Sequence, residues 1–275
     1  MITGLSTASM FGSGLLEENL KEIGRHGIRN VEVFLNTFSE YEPAYARQLR
    51  QIADDFGICV HSVHPHGVQF EPQLFYGYDR TVNDAFGMFE KVLAAAKLLG
   101  AKAYVFHGGL FYKPAPYHQY NFERIGQALD RAVELAAQYE ITLAYENVHW
   151  CWFCSPEFGK KLLEHVHSKN LAFTLDIKQA AQSGIEPLQY LKMMQGRLAN
   201  VHICDFIHGE NGLKTCLPFR GEMDFHALKK ALLDAGYQGP VMMEVYRHDY
   251  ADEQELLECY RQVEAFFTAP LDDTF

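Results

Sequence analysis

Short apolar segments alternate with amphipathic segments along the whole chain. The apolar segments are rich in β-branched and aromatic residues, and they predict strands near residues 2–7, 31–36, 58–63, 103–107, 141–146, 171–176, 199–204 and 241–245. The amphipathic segments predict helices near residues 15–26, 43–56, 80–99, 119–139, 156–168, 187–195, 225–235 and 253–267. Segments such as AYVF and VMMEV are apolar at successive positions, as in parallel strands that helices cover on both faces. The pattern therefore predicts an α/β protein, a single (β/α)8 TIM barrel that spans residues 1–275.

Three of the predicted strand-to-helix connections exceed the about 4–6 residues that are usual in compact domains. They cover residues 65–79, 108–118 and 205–223 and follow the carboxyl ends of strands, where barrel active sites lie. Aromatic residues are frequent in the first two connections and after the fifth predicted strand. We expect Phe75, Phe111 and Trp150 to line a pocket there; a subunit contact is the alternative use of such aromatic side chains.

Four apolar strands carry a polar residue near their carboxyl ends: Glu146 in LAYENV, Asp176 in LAFTLDI, His202 in ANVHICDF and Glu244 in PVMMEVY. A buried carboxylate is costly unless it is paired or binds a metal, so a structural salt bridge is the alternative for each glutamate alone. A parallel barrel brings the ends of all its strands together. The four residues therefore predict one divalent metal site with positions left open for substrate.

Other polar residues near strand ends are candidates for binding substrate. His64 ends the third predicted strand, and His107 precedes a glycine pair that would let the backbone approach a ligand. Each histidine could bind substrate oxygens or a second metal, or be a hydrogen-bonded core residue. Glu32 in VEVF could contact substrate, but a pairing with an arginine inside the barrel is the favoured interpretation. Arg247 is the preferred anion-binding residue in a group that also contains Lys178, His208, Lys214 and Arg220.

Composition and charge narrow the class of partner. The formal net charge of −11 argues against binding nucleic acid through phosphate neutralisation. No apolar run approaches the about 18 residues of a membrane span, and the first residues lack the features of a secretory signal. The six cysteines are scattered, which favours a cytoplasmic protein with reduced thiols. Cys151 and Cys154 form a lone CxxC, a weak signal for chemistry. The sequence leaves open whether the protein forms a homo-oligomer.

The most specific segments are AYEN at Glu146, LD at Asp176, VHICD at His202, and LPFRGEMDF. Through them the whole chain resembles the xylose isomerase-like barrel superfamily. That superfamily includes sugar isomerases and epimerases, inosose and dehydroshikimate dehydratases, and endonuclease IV. In its D-tagatose 3-epimerase-like branch, the residues that match Glu146, Asp176, His202 and Glu244 bind one Mn²⁺-like ion, and the two glutamates exchange protons with substrate.

The sequence departs from the superfamily pattern at two places. Gln179 stands where a histidine often follows the sixth-strand aspartate, and CDFIHGENG lacks a clear Asp-x-His of endonuclease IV. A third zinc site is therefore not expected. His64 and His107 do match the positions of the first zinc site of that enzyme, so a second metal stays open.

The resemblance implies a metal-dependent isomerase or epimerase of a small sugar, sugar phosphate or related polyhydroxy carbonyl compound. The reaction would pass through a metal-stabilised enediolate, with Glu146 and Glu244 as the catalytic residues. Mn²⁺ is expected ahead of Zn²⁺, Co²⁺ or Mg²⁺. The expected substrate-binding residues are His64, His107, Phe111, Trp150, Gln179 and Arg247.

Three alternatives remain on the same barrel. The first is a dehydratase of an inosose- or dehydroshikimate-like substrate, which would begin with the same proton abstraction. An endonuclease IV-like nuclease is disfavoured by the acidic charge and by Gln179. A non-catalytic sugar-binding barrel would have no need of the metal set. The expected partner is a small sugar-like molecule, with neither nucleic acid nor membrane.

Overall fold

A computed structural model of the protein describes residues 1–111, 120–210 and 212–270. Eight parallel strands close into a barrel, and a separate antiparallel hairpin follows the seventh of them. In chain order the strands are β1 (Ile2–Ser6), β2 (Asn30–Leu35), β3 (Cys59–Pro65), β4 (Ala103–Phe106), β5 (Thr142–Glu146), β6 (Ala172–Asp176), β7 (Leu198–Ile203), the hairpin strands β8 (Asp205–Gly209) and β9 (Gly212–Cys216), and β10 (Pro240–Met243). The predicted TIM barrel is confirmed.

The barrel closes between its first and last strands. β1 pairs with β10 in parallel, with Ile2 opposite Pro240 and Leu5 opposite Met243. The remaining order around the barrel is β7, β6, β5, β4, β3 and β2, and β2 pairs with β1. Because every barrel strand runs in the same direction, the side chains at the carboxyl ends of distant segments share one end of the barrel.

Nine α-helices lie within the described residues, mostly between successive strands. They are α1 (Leu16–Arg25), α2 (Pro43–Phe56), α3 (Asp79–Leu99), α4 (Phe122–Gln138), α5 (Pro156–Leu163), α6 (Ile177–Gln182), α7 (Pro187–Met194), α8 (Phe225–Asp234) and α9 (Glu253–Thr268). Local sequence explains several boundaries. Ser155 accepts a hydrogen bond from Phe158 N at the start of α5, and Gly57 ends α2 in the left-handed conformation at φ 64°.

The main core lies between the barrel strands and the surrounding helices. Phe89 of α3, for example, packs against Tyr104 of β4 with ring centroids 5.0 Å apart. None of the helices in the described ranges combines the length and apolarity that a bilayer crossing requires. That residues 1–275 form one domain stays a prediction.

A hairpin and a short helix were missed from the sequence, and two helix boundaries differ by three residues or more. The hairpin of β8 and β9 occupies the predicted 205–223 loop, because its turn and polar residues obscure the strand pattern. α6 has only six residues, too few for a periodic pattern. α5 ends at Leu163 rather than near 168, and α4 begins at Phe122 after the Asn121 cap. Residues 112–119, which include most of the predicted 108–118 loop, lie outside the described residues.

Candidate active site and metal centre

The four residues predicted to bind a metal meet inside the carboxyl end of the barrel. Glu146 and Asp176 are the last residues of β5 and β6, and His202 lies in β7. Glu244 follows Met243, the last residue of β10. Glu146, Asp176 and His202 are each 1% exposed, and Glu244 is 9% exposed. The fold thus brings together side chains that are up to about a hundred residues apart in sequence.

His202 connects the two glutamates. Its Nδ1 atom lies 3.1 Å from Glu146 Oε1 and 3.0 Å from Glu244 Oε2. One ligand atom from each of Glu146, Asp176 and His202 lies within 4.8 Å of the other two. Three carboxylates and one imidazole nitrogen therefore converge on a common region.

These donors fit a divalent cation. Asp176 Oδ2 and Glu244 Oε2 are buried, and neither makes a hydrogen bond of good geometry with the described residues, although Glu244 Oε2 lies 3.0 Å from His202 Nδ1. Glu146 Oε2 lies 2.8 Å from His107 Nε2, but outside hydrogen-bond geometry. Buried polar atoms without a partner are costly, and a cation would satisfy all three. Carboxylate oxygen and imidazole nitrogen are suitable ligands for Mn²⁺, Zn²⁺ and Co²⁺.

The cluster carries opposing charges even without a metal. Burial opposes ionisation of Glu146, but His107 and His202 hold its pKa well below the usual range. Burial also opposes the charged form of His202, yet the fields of Glu32 and Glu244 raise its pKa well above normal. Burial raises the pKa of Asp176 to about 6, against the opposite effect of Lys178. Burial also opposes ionisation of Glu244, but His202 and Lys178 lower its pKa, so both glutamates are carboxylates at neutral pH.

Two asparagines that the sequence did not single out hold the cluster in place. Asn147 clamps Asp176, because its Nδ2 donates to the Asp176 carbonyl oxygen at 2.8 Å and its Oδ1 accepts from Asp176 N at 2.9 Å. Asn200 Nδ2 donates to Glu32 Oε2 at 2.8 Å. Asn147 belongs to the AYEN segment, and Asn200 precedes His202 by two residues on the same strand face, which was a usable signal.

Glu32 supports His202 rather than pairing with an arginine. Its Oε2 atom lies 3.0 Å from His202 Nε2 and accepts from Ser62 Oγ at 2.6 Å, and Oε1 accepts from Ser6 Oγ at 3.2 Å. With Nε2–H directed at this carboxylate, His202 presents Nδ1 toward Glu146 and Glu244. A carboxylate behind a histidine in this way fixes the ring and strengthens it as a metal ligand.

A second group of donors adjoins the first. His64 Nε2 and His107 Nε2 lie 2.8 Å apart, and Glu146 Oε2 is 3.9 Å from the former and 2.8 Å from the latter. These three residues also satisfy the distances for holding a metal. Burial opposes charging of His64, but Glu244 and Glu32 raise its pKa to about 10. Glu146 is shared by both groups.

A cavity of about 270 Å³ opens above the cluster. Glu146, Glu244, His64 and His107 are polar residues in its lining, which also contains aromatic side chains. Trp150 lines the cavity as expected, and its ring meets His107 edge-on at 5.4 Å. The aromatic lining residues not predicted are Phe11, Phe34 and Tyr246. Phe34 occupies an apolar strand end, a signal that the sequence did contain.

Two other predicted substrate contacts also line the cavity. Gln179 Oε1 accepts hydrogen bonds from His149 N at 3.1 Å and lies 2.6 Å from His149 Nδ1. Its carbonyl is therefore engaged with the β5–α5 loop, which leaves the amide nitrogen as the group for a ligand. Arg247 directs Nη1 to the Tyr250 carbonyl at 2.9 Å and stacks on that ring at 4.8 Å. Part of the hydrogen-bonding capacity of its guanidinium is therefore used by a main-chain carbonyl.

Two predicted pocket aromatics lie elsewhere. Phe75 is buried against Trp152 and Phe106, with ring centroids 5.2 and 6.3 Å away. Phe111 packs against Tyr120 at 6.5 Å and is not among the described residues that line the cavity. Sequence alone could not separate a core aromatic from a pocket aromatic, because both kinds are apolar residues in loops at the same end of the barrel.

The glycine pair after β4 has a packing role. A side chain at Gly108, whose φ is 72°, would collide with Tyr145, and one at Gly109 would collide with Trp152. Glu71, in the loop after β3, accepts hydrogen bonds from the main-chain N–H of His107 at 2.8 Å and of Gly108 at 2.9 Å. Neighbouring protein atoms, rather than a ligand, therefore account for the glycines.

The candidate anion-binding side chains do not form one site. His208 pairs with Glu222 at the surface, and Arg220 pairs with Glu255. Lys214 is exposed on the hairpin. Lys178 is buried beside Asp176 and Glu244. Within the described residues, Arg247 is the sole member of this predicted group that lines the cavity.

A family model described as xylose isomerase-like TIM barrel matches residues 20–263. The chain belongs to this family. No curated protein matched the sequence. Solved structures with a similar fold include a D-tagatose 3-epimerase-like protein, which is 20% identical, with coverage of 98% of this chain and 100% of that one and a TM-score of 0.77.

Two further structures are similar at lower identity. A 3-keto-D-glucoside 4-epimerase from E. coli is 17% identical, covering 98% of this chain and 99% of that chain with a TM-score of 0.73. A probable 3-DHS dehydratase from Bacillus anthracis is 13% identical, covering 98% and 99% with a TM-score of 0.75. At these identities the likeness establishes a shared fold.

Hydrogen bonds hold the family segment LPFRGEMDF in place between the hairpin and α8. Asp205 is fully buried and accepts main-chain hydrogen bonds from Gly221 at 2.7 Å and Met223 at 3.0 Å. A side chain at Gly221 would collide with the Phe206 carbonyl and with Asp205. Asp224 then caps α8 by accepting from Ala227 N at 2.8 Å. These contacts give the segment a structural role.

Proposed function

We propose that this protein is a divalent-metal-dependent isomerase or epimerase of a small sugar or related polyhydroxy carbonyl compound. The observation that carries the proposal is the placement of two carboxylates, Glu146 and Glu244, around His202 Nδ1 in the lining of one cavity. Two bases that reach one enclosed volume are what an epimerase requires to remove a proton and return it.

Glu146, Asp176, His202 and Glu244 would hold the ion, and it is the ion that would polarise a substrate carbonyl and acidify the adjacent C–H bond. One glutamate would remove the carbon-bound proton and the other would return it to the opposite face. Their ionised state at neutral pH suits both for this role. Glu32 would keep His202 in the ligating orientation, and Asn147 would do the same for Asp176.

The cavity residues would orient the substrate and exclude water. His64, His107 and the Gln179 amide present polar groups toward hydroxyls, whereas Trp150, Phe34 and Tyr246 present apolar faces. Pyranose and open-chain sugars carry both C–H and O–H surfaces, and a pocket of this mixed character suits them. Among the described lining residues, Arg247 alone carries a permanent positive charge, and its guanidinium already donates to the Tyr250 carbonyl, so no cluster of cations marks a phosphate site there.

A dehydratase is the second candidate, and the similarity in fold to a probable 3-DHS dehydratase favours keeping it. The two reactions share the first proton abstraction and differ in whether a hydroxyl leaves. The test is a panel of ketoses, their phosphates, inososes and dehydroshikimate, incubated in D₂O with Mn²⁺, Co²⁺, Mg²⁺ or Zn²⁺. An isomer that differs in composition from the substrate only by one deuterium in place of a carbon-bound hydrogen supports the proposal, and a product that has lost one water supports the dehydratase.

A control separates metal dependence from the reaction itself. Protein stripped with EDTA should lose turnover and should recover it when a divalent ion is added back. Turnover that persists at full rate without divalent ions would contradict the metal part of the proposal. No conversion of any member of the panel, with metal bound, would contradict the substrate class.

A further inference from the structure

Lys178 is a buried lysine placed directly beside the carboxylate cluster. It lies two residues after Asp176, in α6, and its side chain is 1% exposed. Its Nζ atom is 3.5 Å from Asp176 Oδ2 and 3.6 Å from Glu244 Oε1. It also faces the Tyr246 ring at 4.4 Å. The ammonium therefore contacts two of the four proposed metal ligands from the side of α6.

The ammonium has no hydrogen-bond acceptor among the described residues. The nearer of the two carboxylate oxygens, Asp176 Oδ2 at 3.5 Å, likewise makes no hydrogen bond with the described residues. A buried charge without hydrogen bonds is retained when it balances another charge. Lys178 is thus held beside Asp176 and Glu244 mainly by its charge, with the Tyr246 side chain as a further contact.

A second buried lysine shows the ordinary structural arrangement. Lys229 of α8 is 3% exposed, and its Nζ donates to the Phe266 carbonyl at 2.6 Å and to the Ala269 carbonyl at 2.8 Å. These bonds tie α8 to the end of α9. Both lysines are buried, but of the two only Lys229 donates hydrogen bonds to main-chain carbonyls.

We propose that Lys178 is a built-in counter-cation of the metal centre: it stabilises Asp176 and Glu244 when no metal is bound, and it weakens divalent-ion binding by repulsion. The inference rests on the proposed function, because it takes these carboxylates as metal ligands. Lys178 acts on the metal ligands and not on the substrate, since it lies behind the ligands and is not among the described cavity-lining residues.

The charge balance gives the direction of both effects. Glu146, Asp176 and Glu244 together carry three negative charges, and Lys178 reduces the local charge by one. Lys178 and a bound divalent ion are attracted to the same carboxylates, so the ion meets one positive charge fewer when Lys178 is removed. Removing the lysine therefore strengthens the attraction for the ion and increases repulsion among the carboxylates in its absence.

The test is Lys178→Met, which keeps an unbranched side chain one atom shorter and removes the charge. Mn²⁺ affinity is measured by isothermal titration calorimetry at pH 8, and metal-free stability by urea unfolding in EDTA. We expect Mn²⁺ to bind about tenfold more tightly or better, because like charges near the ligands are removed. We also expect the urea midpoint in EDTA to fall.

Lys229→Met is the matched control. It should lower the urea midpoint to the same extent with and without Mn²⁺ and leave Mn²⁺ affinity at the wild-type value. In the Lys178→Met background, Asp176→Asn should recover the urea midpoint in EDTA, because a carboxylate is removed along with its counter-charge. The same double variant keeps the test valid where Lys178→Met alone does not fold.

Three results would overturn the proposal: weaker Mn²⁺ binding by Lys178→Met, an unchanged or higher midpoint in EDTA, or no recovery in the double variant. Failure of the proposed function looks different. If neither wild type nor Lys178→Met binds a divalent ion, the metal centre is wrong and the repulsion claim falls with it. If both bind ions but the wild type converts no sugar, only the proposed reaction fails.

Discussion

Four glutamates are buried at the same end of this barrel, and they fall into two pairs. Glu71 and Glu32 use both carboxylate oxygens in hydrogen bonds with donors of the protein. Glu146 and Glu244 each have one oxygen without a hydrogen-bond partner among the described residues, and both line the cavity. Burial is similar in all four, between 0% and 9% exposed. Hydrogen-bond saturation, rather than burial, separates the two pairs.

The hydrogen-bond partners of a buried carboxylate therefore indicate whether it supports the fold or is available for chemistry. A saturated carboxylate has already been compensated by the fold, so it is available for support and not for chemistry. A buried carboxylate oxygen without a hydrogen-bond partner raises the free energy of the folded state, and a ligand or ion that binds to it can remove that penalty.

Glu146→Gln and Glu244→Gln should each lower kcat by about 10²–10⁴-fold, because an amide cannot accept the carbon-bound proton. The measurement is conversion of whichever sugar the panel identifies, with saturating metal. Each variant should stay folded in circular dichroism. Wild-type turnover in either one would place Glu146 or Glu244 with the supporting pair.

Glu71→Met should lower the free energy of unfolding by about 1–3 kcal/mol for each buried donor left unsatisfied. The donors concerned are the N–H groups of His107 and Gly108 and the hydroxyl of Tyr104, which donates to Glu71 Oε1 at 2.8 Å. Urea unfolding measures the loss.

The matched variant at this position is Glu71→Gln. Its carbonyl can accept from the two N–H groups and its amide can donate to the Tyr104 oxygen, so most of the stability should return. Glutamine is thus expected to be tolerated at 71 and to abolish turnover at 146. Equal stability losses for Glu71→Met and Glu71→Gln would contradict the hydrogen-bond explanation.

Glu32→Gln should weaken divalent-ion affinity by about 10–100-fold, as expected when a carboxylate behind a ligating histidine is removed. The reason is the 3.0 Å contact between Glu32 Oε2 and His202 Nε2. Metal titration against a chelating dye measures it. Glu71→Gln serves as the control and should bind the ion as the wild type does. Unchanged affinity in Glu32→Gln would leave Glu32 with a purely structural role.

Trp150→Ala should raise KM about two- to tenfold, which corresponds to about 0.5–1.5 kcal/mol for one aromatic contact. The ring lines the cavity and meets His107 edge-on. Steady-state kinetics and the mass in solution are measured together. Dissociation of an oligomer with intact kinetics would instead assign the residue to a subunit interface.

Much of the fold could be predicted from the pattern of residues. Eight apolar runs with helical segments between them predict the parallel barrel, because repeated strand–helix units form a parallel sheet that helices cover, and eight such units are the number that closes into a barrel. The strand ends then place Glu146, Asp176, His202 and Glu244 together, since parallel strands share one end. The hairpin of β8 and β9 and the short helix α6 escaped prediction, because short polar elements have no clear period.

What the sequence determined by itself was therefore the architecture and the identity of the donors at the strand ends. The tertiary structure alone decided how each buried polar group is compensated. Glu32 accepts from a serine hydroxyl and contacts His202 rather than an arginine. Glu71 accepts from a main-chain N–H group after β4, and the Lys178 ammonium faces carboxylates rather than solvent. Such pairings join residues from different strands and loops, and their energies depend on distances of a few ångströms that no one-dimensional pattern contains.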